Sequence, residues 1–476
     1  MARSSKTLRW PWVRAASVSL ALTTFASAQF ETRAIAPVVL NPRSVAVGDF
    51  NHDGKLDMAV ASLGTNTQDL TILLGNGDGT FKPGVYYNVS NGLFSVATAD
   101  FNRDGNLDLV VADYYSGNVS VLMGNGDGTF KSAVTYAVPP GPKFVLTGDF
   151  NGDHWPDIVA LEVTGNCDCV SVLLNNRDGT FQAAKTTPAV SGSDAIGVGD
   201  FNRDGRLDVV TAGQSLSGAS VNILLGNGDG TFTPGASYPV DNVPVSVVVA
   251  DFRGTGLLDL AAAEEFGGVV VLLGNGDGTF QPPVTYSAVF PSSLAVADFN
   301  GDGKPDMAVA DTASPQGSVT VLLGNGDGTF LAGVSYPVGK DPLFVTTGDF
   351  NGDKKADLVT ANDGNNTAGV LLNTGVVTFS PTTPLNFKKQ TVGTTSPPQT
   401  VTLTNSGSTA LTISSMKSTG QFGMSSTCGT SVAPGANCAI NVTFSPQSKG
   451  PKSGTVTLRD SASSKPQVIE LSGTGD

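Results

Sequence analysis

The sequence predicts an all-β chain: a seven-bladed β-propeller followed by an Ig-like β-sandwich. Three observations lead there. Charged residues are only 14% of the chain, and 58 of 476 residues are Gly, among abundant Thr, Ser and Val, which is neither a disordered nor a helical composition. One nine-residue phrase recurs seven times between residues 49 and 357. The stretches between its copies are short β-branched runs bounded by Gly, Asn or Asp, as strands are.

The phrase Asp-Phe-Asn-x-Asp-Gly-x-x-Asp, intact or degraded, begins at Asp49, Asp100, Asp149, Asp200, Asp251, Asp298 and Asp349. A second phrase, Gly-Asn-Gly-Asp-Gly-Thr-Phe, ends at Phe81, Phe130, Phe232, Phe280 and Phe330. It survives as NNRDGTF at Phe181 and fades to NTGVVTF at Phe379. Four strand-like runs per unit (SVAVGD, LDMAVA, DLTILLGN, GTFKPGVYYNV) are the signature of a propeller blade. A lone four-stranded blade cannot bury both faces, whereas seven round an axis can. An open solenoid is the rival, but no distinct capping repeat is present. Phe30–Val39 aligns with the fourth strand of other units, so it is predicted to pair into the last blade and latch the ring. The Phe of the second phrase is expected in the blade core, and the Tyr six residues later (Tyr87, Tyr136, Tyr238, Tyr286, Tyr336) is expected to pack rather than to bind ligand.

Residues 1–28 read as a signal peptide. Arg3, Lys6, Arg9 and Arg14 precede an apolar run from Ala15 to Ala26, and Ala26-Ser27-Ala28 gives an A-x-A cleavage site. The run is too short for a membrane-spanning helix, so no transmembrane segment is expected in the mature chain, which is read as secreted or surface-exposed. Net charge is −14 for the full chain. Residues 29–379 hold 16 bases and 38 acids (−22), and residues 380–476 hold seven bases and three acids (+4), which marks a domain boundary near 380. The domains expected are thus 29–380 for the propeller and 381–476 for the sandwich. An acidic chain lacks the basic face that nucleic acid requires.

The recurring Asp phrase has the chemistry of a calcium loop. In DFNHDGKLD, Asp49, Asn51, Asp53 and Asp57 offer side-chain oxygens at positions 1, 3, 5 and 9, and the Lys55 carbonyl can add one at position 7. Hard oxygens in a flexible acidic loop select Ca²⁺. The other full sets are Asp100, Asn102, Asp104 and Asp108; Asp149, Asn151, Asp153 and Asp157; and Asp200, Asn202, Asp204 and Asp208. Asp298, Asn300, Asp302 and Asp306, then Asp349, Asn351, Asp353 and Asp357, complete them. Asn106, Trp155, Arg206, Lys304 and Lys355 would contribute at position 7 by their carbonyls alone. His154 and Lys354 replace Gly at position 6, where a left-handed turn costs ~1 kcal/mol. In the fifth loop, DFRGTGLLD, Arg253 and Thr255 replace ligands, and no calcium is expected. Arg253 either sits between Asp251 and Asp259 as an internal cation or belongs to a merely degenerate turn. About six Ca²⁺ sites follow, structural in role because three close carboxylates repel without a cation.

These phrases resemble the FG-GAP (VCBS) repeat of integrin-α-type β-propellers. That resemblance implies calcium in the loop joining the first two strands of each blade, and ligand engagement on the opposite face. Residues 384–475 resemble the hydin-type or choice-of-anchor Ig-like domains of bacterial surface proteins, through PLNFKKQTVGTTSPPQTVTLTNSG, STCGTSVAPGANCAINVTFSP and IELSGTG. Cys428 and Cys438 are expected to pair in an exported protein. Cys167 and Cys169 either form a local disulfide or stay free.

Up-and-down strands put the Asp loops and the GNGDG turns on one face. The other face carries loops that differ between units: SLGTNTQD, DYYSGN, LEVTGNCDC, GQSLSGAS, EEFGG, DTASPQGS and NDGNN. Variation on a rigid frame is where binding specificity sits. The expected function is a non-catalytic binding or adhesion module for an extracellular protein or glycan. The alternative is a polysaccharide lyase or hydrolase on the same frame, with Tyr114, Tyr115, Glu162, Glu264 and Glu265 as its candidates. Against it, no nucleophile-elbow pattern is present, and both histidines, His52 and His154, lie inside Asp loops.

Overall fold

The computed structural model describes residues 30–476 except 66–67, 91, 165–166, 289, 314–315, 374–376, 381–384, 406–409, 434 and 461–465. The signal peptide expected at 1–28 lies outside the described residues. The rest divides into two compact units, separated at residues 376 and 377.

The larger unit is a ring of seven four-stranded sheets. Strand β1 (Phe30–Pro37) precedes the first complete blade, which is β2 (Pro42–Gly48), β3 (Asp57–Thr65), β4 (Gln68–Leu73) and β5 (Val85–Tyr87). Five further blades occupy residues 93–137, 142–188, 193–239, 244–286 and 291–337. The seventh is built from Pro342–Gly348, Asp357–Asn362 and Thr367–Asn373, with β1 as its outer strand. β1 runs antiparallel to the third of these, Phe30 facing Asn373 and Pro37 facing Thr367. The predicted latch is therefore present.

Burial explains the sequence pattern of each strand. The second strand of a blade packs on both sides, so it reads as an unbroken apolar run; Met58, Ala59, Val60 and Ala61 are all fully buried. The outermost strand is wet along most of its length, leaving Val85, Val134, Val284 and Val334 about half exposed. Each innermost strand carries one bulge near its start, at the same place in all seven blades.

Seven edge-to-face phenylalanine pairs join the blades. Each pairs the Phe at position 2 of an Asp loop with a Phe of the next blade: Phe50–Phe130, Phe101–Phe181, Phe150–Phe232, Phe201–Phe280, Phe252–Phe330, Phe299–Phe30 and Phe350–Phe81. Ring centroids are 5.2–6.1 Å apart, and each such pair adds about 0.5–1.5 kcal/mol beyond burial. The last pair joins the seventh blade to the first, with the Gly79 N–H on the Phe350 carbonyl at 3.0 Å. That closes the ring and removes the solenoid alternative. The tyrosines pack at the same junctions; Tyr87 and Tyr238 lie edge-on to Phe130 and Phe280 of the next blade.

The smaller unit is a two-sheet sandwich. One sheet orders Val377–Ser380, Gln399–Asn405, Asn437–Phe444 and Phe422–Ser426. The other orders Leu385–Gln390, Gln467–Gly475, Gly450–Asp460, Leu411–Ser418 and Ser431–Val432. Val401, Leu403, Ile440, Val442, Phe444 and Val456 form its fully buried core. Cys428 and Cys438 are bonded, as expected. Cys169 is also disulfide-bonded.

One assignment is corrected. By sequence, NTGVVTF is the expected faded seventh copy of the Gly-Asn-Gly-Asp-Gly-Thr-Phe phrase. Instead Phe379 faces Leu403 in the sandwich, and Phe30 takes the vacated place at the ring junction. The sandwich thus begins at Val377, not at residue 381.

Candidate functional site

The Asp loops share one geometry, set by their own backbone. In the first loop, Asp49 Oδ1 accepts the Asn51 and Asp53 N–H groups at 3.4 and 3.2 Å, and Asp49 Oδ2 accepts Gly54 N–H at 2.8 Å. The position-5 carboxylate accepts the position-7 amide, as with Lys55 N to Asp53 Oδ1 at 3.0 Å. Position 6 is left-handed in every loop, at Gly54 as at His154 and Lys354 (φ 68° and 66°). Position 4 is left-handed too, even where it is His52, Arg103 or Arg203. Sequence reading missed that second strained position. The histidines are spacers in these turns: His52 Nε2 lies 2.8 Å from Asn106 Oδ1 of the next loop, and His154 is exposed.

The position-9 aspartate has a further task. Asp57 is fully buried; its Oδ2 accepts Phe50 N–H at 2.9 Å and its Oδ1 accepts Gly75 N–H at 2.7 Å. One carboxylate thus ties the Asp loop to the GNGDG turn of the same blade. The same pair of bonds recurs at Asp108, Asp157, Asp208, Asp259, Asp306 and Asp357. Asn175 and Asn373 replace the glycine donor in two blades, and their side chains also reach the carbonyls of Phe101 and Phe299 in the preceding blade. This clamp explains why the first residue of GNGDG is small or amide-bearing.

Burial raises the pKa of Asp57 and Asp208, takes Asp108 and Asp157 to about 6, and takes Asp306 and Asp357 to about 7. The carboxylates at positions 5 and 1 add like-charge repulsion in each. Among the described residues, no three His, Cys, Asp or Glu side chains converge as a preformed metal cluster. The loop carboxylates are turned onto backbone N–H groups instead.

The fifth loop tests whether a cation suits this place. Arg253 Nη2 and Nε meet Asp259 Oδ1 and Oδ2 at 2.6 and 3.2 Å, and Nη2 also donates to the Gly274 carbonyl at 2.6 Å. The guanidinium is largely buried, and Asp259 fully so. It neutralises Asp259 rather than bridging to Asp251, whose oxygens accept the amides of Arg253, Thr255 and Gly256. A positive charge beside the position-9 carboxylate is therefore built into the one loop that lacks the full oxygen set. The donor chemistry of the other six fits a hard cation in the equivalent place.

The opposite face is irregular. Tyr115, Phe266 and Leu216 are prominently exposed there, Tyr114 packs against Phe94 in a tilted pair at 4.4 Å, and Phe266 meets Phe290 edge-on at 5.6 Å. The groups considered for catalysis are not brought together. Tyr114 and Tyr115 belong to the second blade, Glu162 to the third, and Glu264 and Glu265 to the fifth. Glu162 is buried with the Ser171 hydroxyl on Oε2 at 3.1 Å, and burial pushes it up to about 8. Glu264 Oε1 accepts the amides of Asp241 and Asn242, which holds a loop.

FG-GAP-like repeats match residues 49–111, 100–160, 149–211, 200–262, 251–309 and 298–360. The abnormal spindle-like microcephaly-associated, ASPM-SPD-2-Hydin family matches residues 374–468. No curated protein sequence matches the chain. Among solved structures, BBS1N in complex with ARL6DN is similar at 12% identity and TM-score 0.52, covering 73% of this chain and 97% of that one. The BP39L lectin from Burkholderia pseudomallei is similar at 13% identity and TM-score 0.52, covering 70% of this chain and 96% of that one. Both show a shared fold. Six matched repeats across residues 49–360 place the chain in the FG-GAP-like repeat family, with an ASPM-SPD-2-Hydin domain after its propeller.

Proposed function

We propose that the protein is an exported, calcium-stabilised, non-catalytic binding module for an extracellular protein or glycan, acting in adhesion. The contrast between its two faces carries this reading. One face repeats a single loop seven times with the same hydrogen bonds; the other presents seven different loops and exposed aromatic rings. A frame held constant on one side and varied on the other suits recognition on the varied side. No described helix is long and apolar enough to cross a membrane, and the disulfide at Cys428–Cys438 suits an oxidising compartment.

In this reading, the side chains at positions 1, 3, 5 and 9 of six loops hold Ca²⁺, with the carbonyls at position 7. The ion supplies charge neutralisation beside the buried position-9 carboxylate, the role Arg253 fills in the fifth loop. The chain's own residues do the rest: position-9 aspartates tie hairpins, and loop phenylalanines lock each blade to the next. A glycan and surface-protein array probed with the mature chain in calcium tests the binding role. Retention by at least one ligand class, lost when Tyr115 and Phe266 are changed to Ala, supports it. Turnover of an arrayed polysaccharide overturns it in favour of the enzyme.

A further inference from the structure

The innermost strands of all seven blades line a central cavity of about 300 Å³. Its lining contains no charged side chain; Phe144, Leu146, Val248 and Phe344 give it apolar walls, with Thr346 and Ser246 among them. Arg43, Lys143 and Asp194 each stand one residue before the lining and are held in ion pairs, Arg43 with Asp363 and Lys143 with Asp194.

The seven strands treat one backbone amide in two ways. In four blades it is capped by a serine of the preceding blade. Val96 N–H donates to Ser44 Oγ at 3.3 Å, Val145 to Ser95 at 3.2 Å, Leu294 to Ser246 at 3.3 Å and Val345 to Ser293 at 3.2 Å. These amides therefore point away from their own sheet. Val45, Ile196 and Val247 hold the same register against their second strands as Val96 does. Their amides point the same way, but the serine is replaced by Phe344, Phe144 and Ala195 of the preceding blades. Three N–H donors at one level thus lack the cap their siblings have. A buried backbone N–H without an acceptor is rare and costly, more so than a carbonyl with a spare lone pair.

We propose that this channel binds one small, uncharged, largely apolar molecule bearing an acceptor oxygen, such as an aryl or alkyl alcohol or ketone. The walls take the apolar body, and the amide of Val247, facing the small Ala195 where sibling blades carry serine, takes the oxygen. Apolar pockets of this size with a few placed polar groups are typical of small-molecule sites. An anion also suits free N–H groups, but no lining base supports it, and the field of the acidic propeller opposes it. The site is independent of the face-binding role above.

Equilibrium dialysis of the mature protein in calcium against 2-naphthol, naphthalene and 2-naphthoate tests the proposal. One 2-naphthol binds per chain, roughly tenfold tighter than naphthalene, the difference one hydrogen bond makes. Ala195→Ser restores the cap on Val247 and weakens 2-naphthol several-fold while leaving naphthalene unchanged. Leu146→Trp fills the cavity and removes both, with the melting temperature as the control for folding. No saturable uptake, uptake indifferent to Ala195→Ser, or 2-naphthoate binding as tightly as 2-naphthol overturns the proposal.

Discussion

The fifth Asp loop and its six siblings share a backbone path but differ in what lies beside the buried carboxylate. Position 9 makes the same two backbone bonds in all seven blades. Only Asp259 also receives a guanidinium from its own loop. In the other six, burial and neighbouring carboxylates push the equivalent aspartate's pKa up. The backbone bonds of the turn are therefore the same with and without the guanidinium. The fifth blade supplies a cation from its own sequence, and in the proposed reading calcium would supply it in the other six.

The largest expected effect comes from removing the proposed calcium. Chelation should lower the melting temperature of the propeller by roughly 10 °C or more, since six sites each stabilise only the folded state. Trp155, the sole tryptophan beyond residue 28, sits in the third loop under the Arg103 guanidinium at 4.3 Å, so its fluorescence should change in the same titration. A melting temperature indifferent to chelation breaks the comparison.

Arg253→Ala should come next. It leaves Asp259 buried and unpaired, which costs about 3–5 kcal/mol. Added calcium should not restore it, because the loop still lacks oxygens at positions 3 and 5; recovery of stability in calcium would contradict the assignment.

Glu162 gives a smaller effect on the other face. Its folded pKa of about 8 lies above the usual 4.5, so the folded chain holds the proton more tightly. Its contribution to stability is complete below about pH 4.5 and fades as pH rises to about 8. Glu162→Gln should flatten that decline, making the variant about 3 kcal/mol more stable relative to the parent at pH 8 than at pH 5. Urea denaturation at the two pH values reads it. The smallest expected change is at the strained turns: His154→Gly should tighten calcium in the third loop by under tenfold, relieving ~1 kcal/mol of left-handed strain.

Sequence periodicity exposed the ring, its blade number and the Phe30 latch, because a repeated unit must bury the same residues seven times. It also placed Arg253 as a candidate internal cation. It misassigned Phe379, since a Val-Thr-Phe run serves an edge strand of a sandwich as readily as a blade. Both demands on position 9, burial and two backbone donors, were hidden, because Asp57 and Gly75 are 18 residues apart and nothing local links them. The uncapped amides of the channel were equally invisible, since a Ser-to-Phe or Ser-to-Ala difference between repeats reads as ordinary drift until the strands face one another.

Calcium stoichiometry of the mature chain tests the central claim most directly, measured by elemental analysis after equilibrium dialysis. The parent should hold six ions, and Arg253→Asn with Thr255→Asp should raise the count to seven. An ion-free parent, or a double variant that gains none, contradicts the equivalence of the guanidinium and the metal.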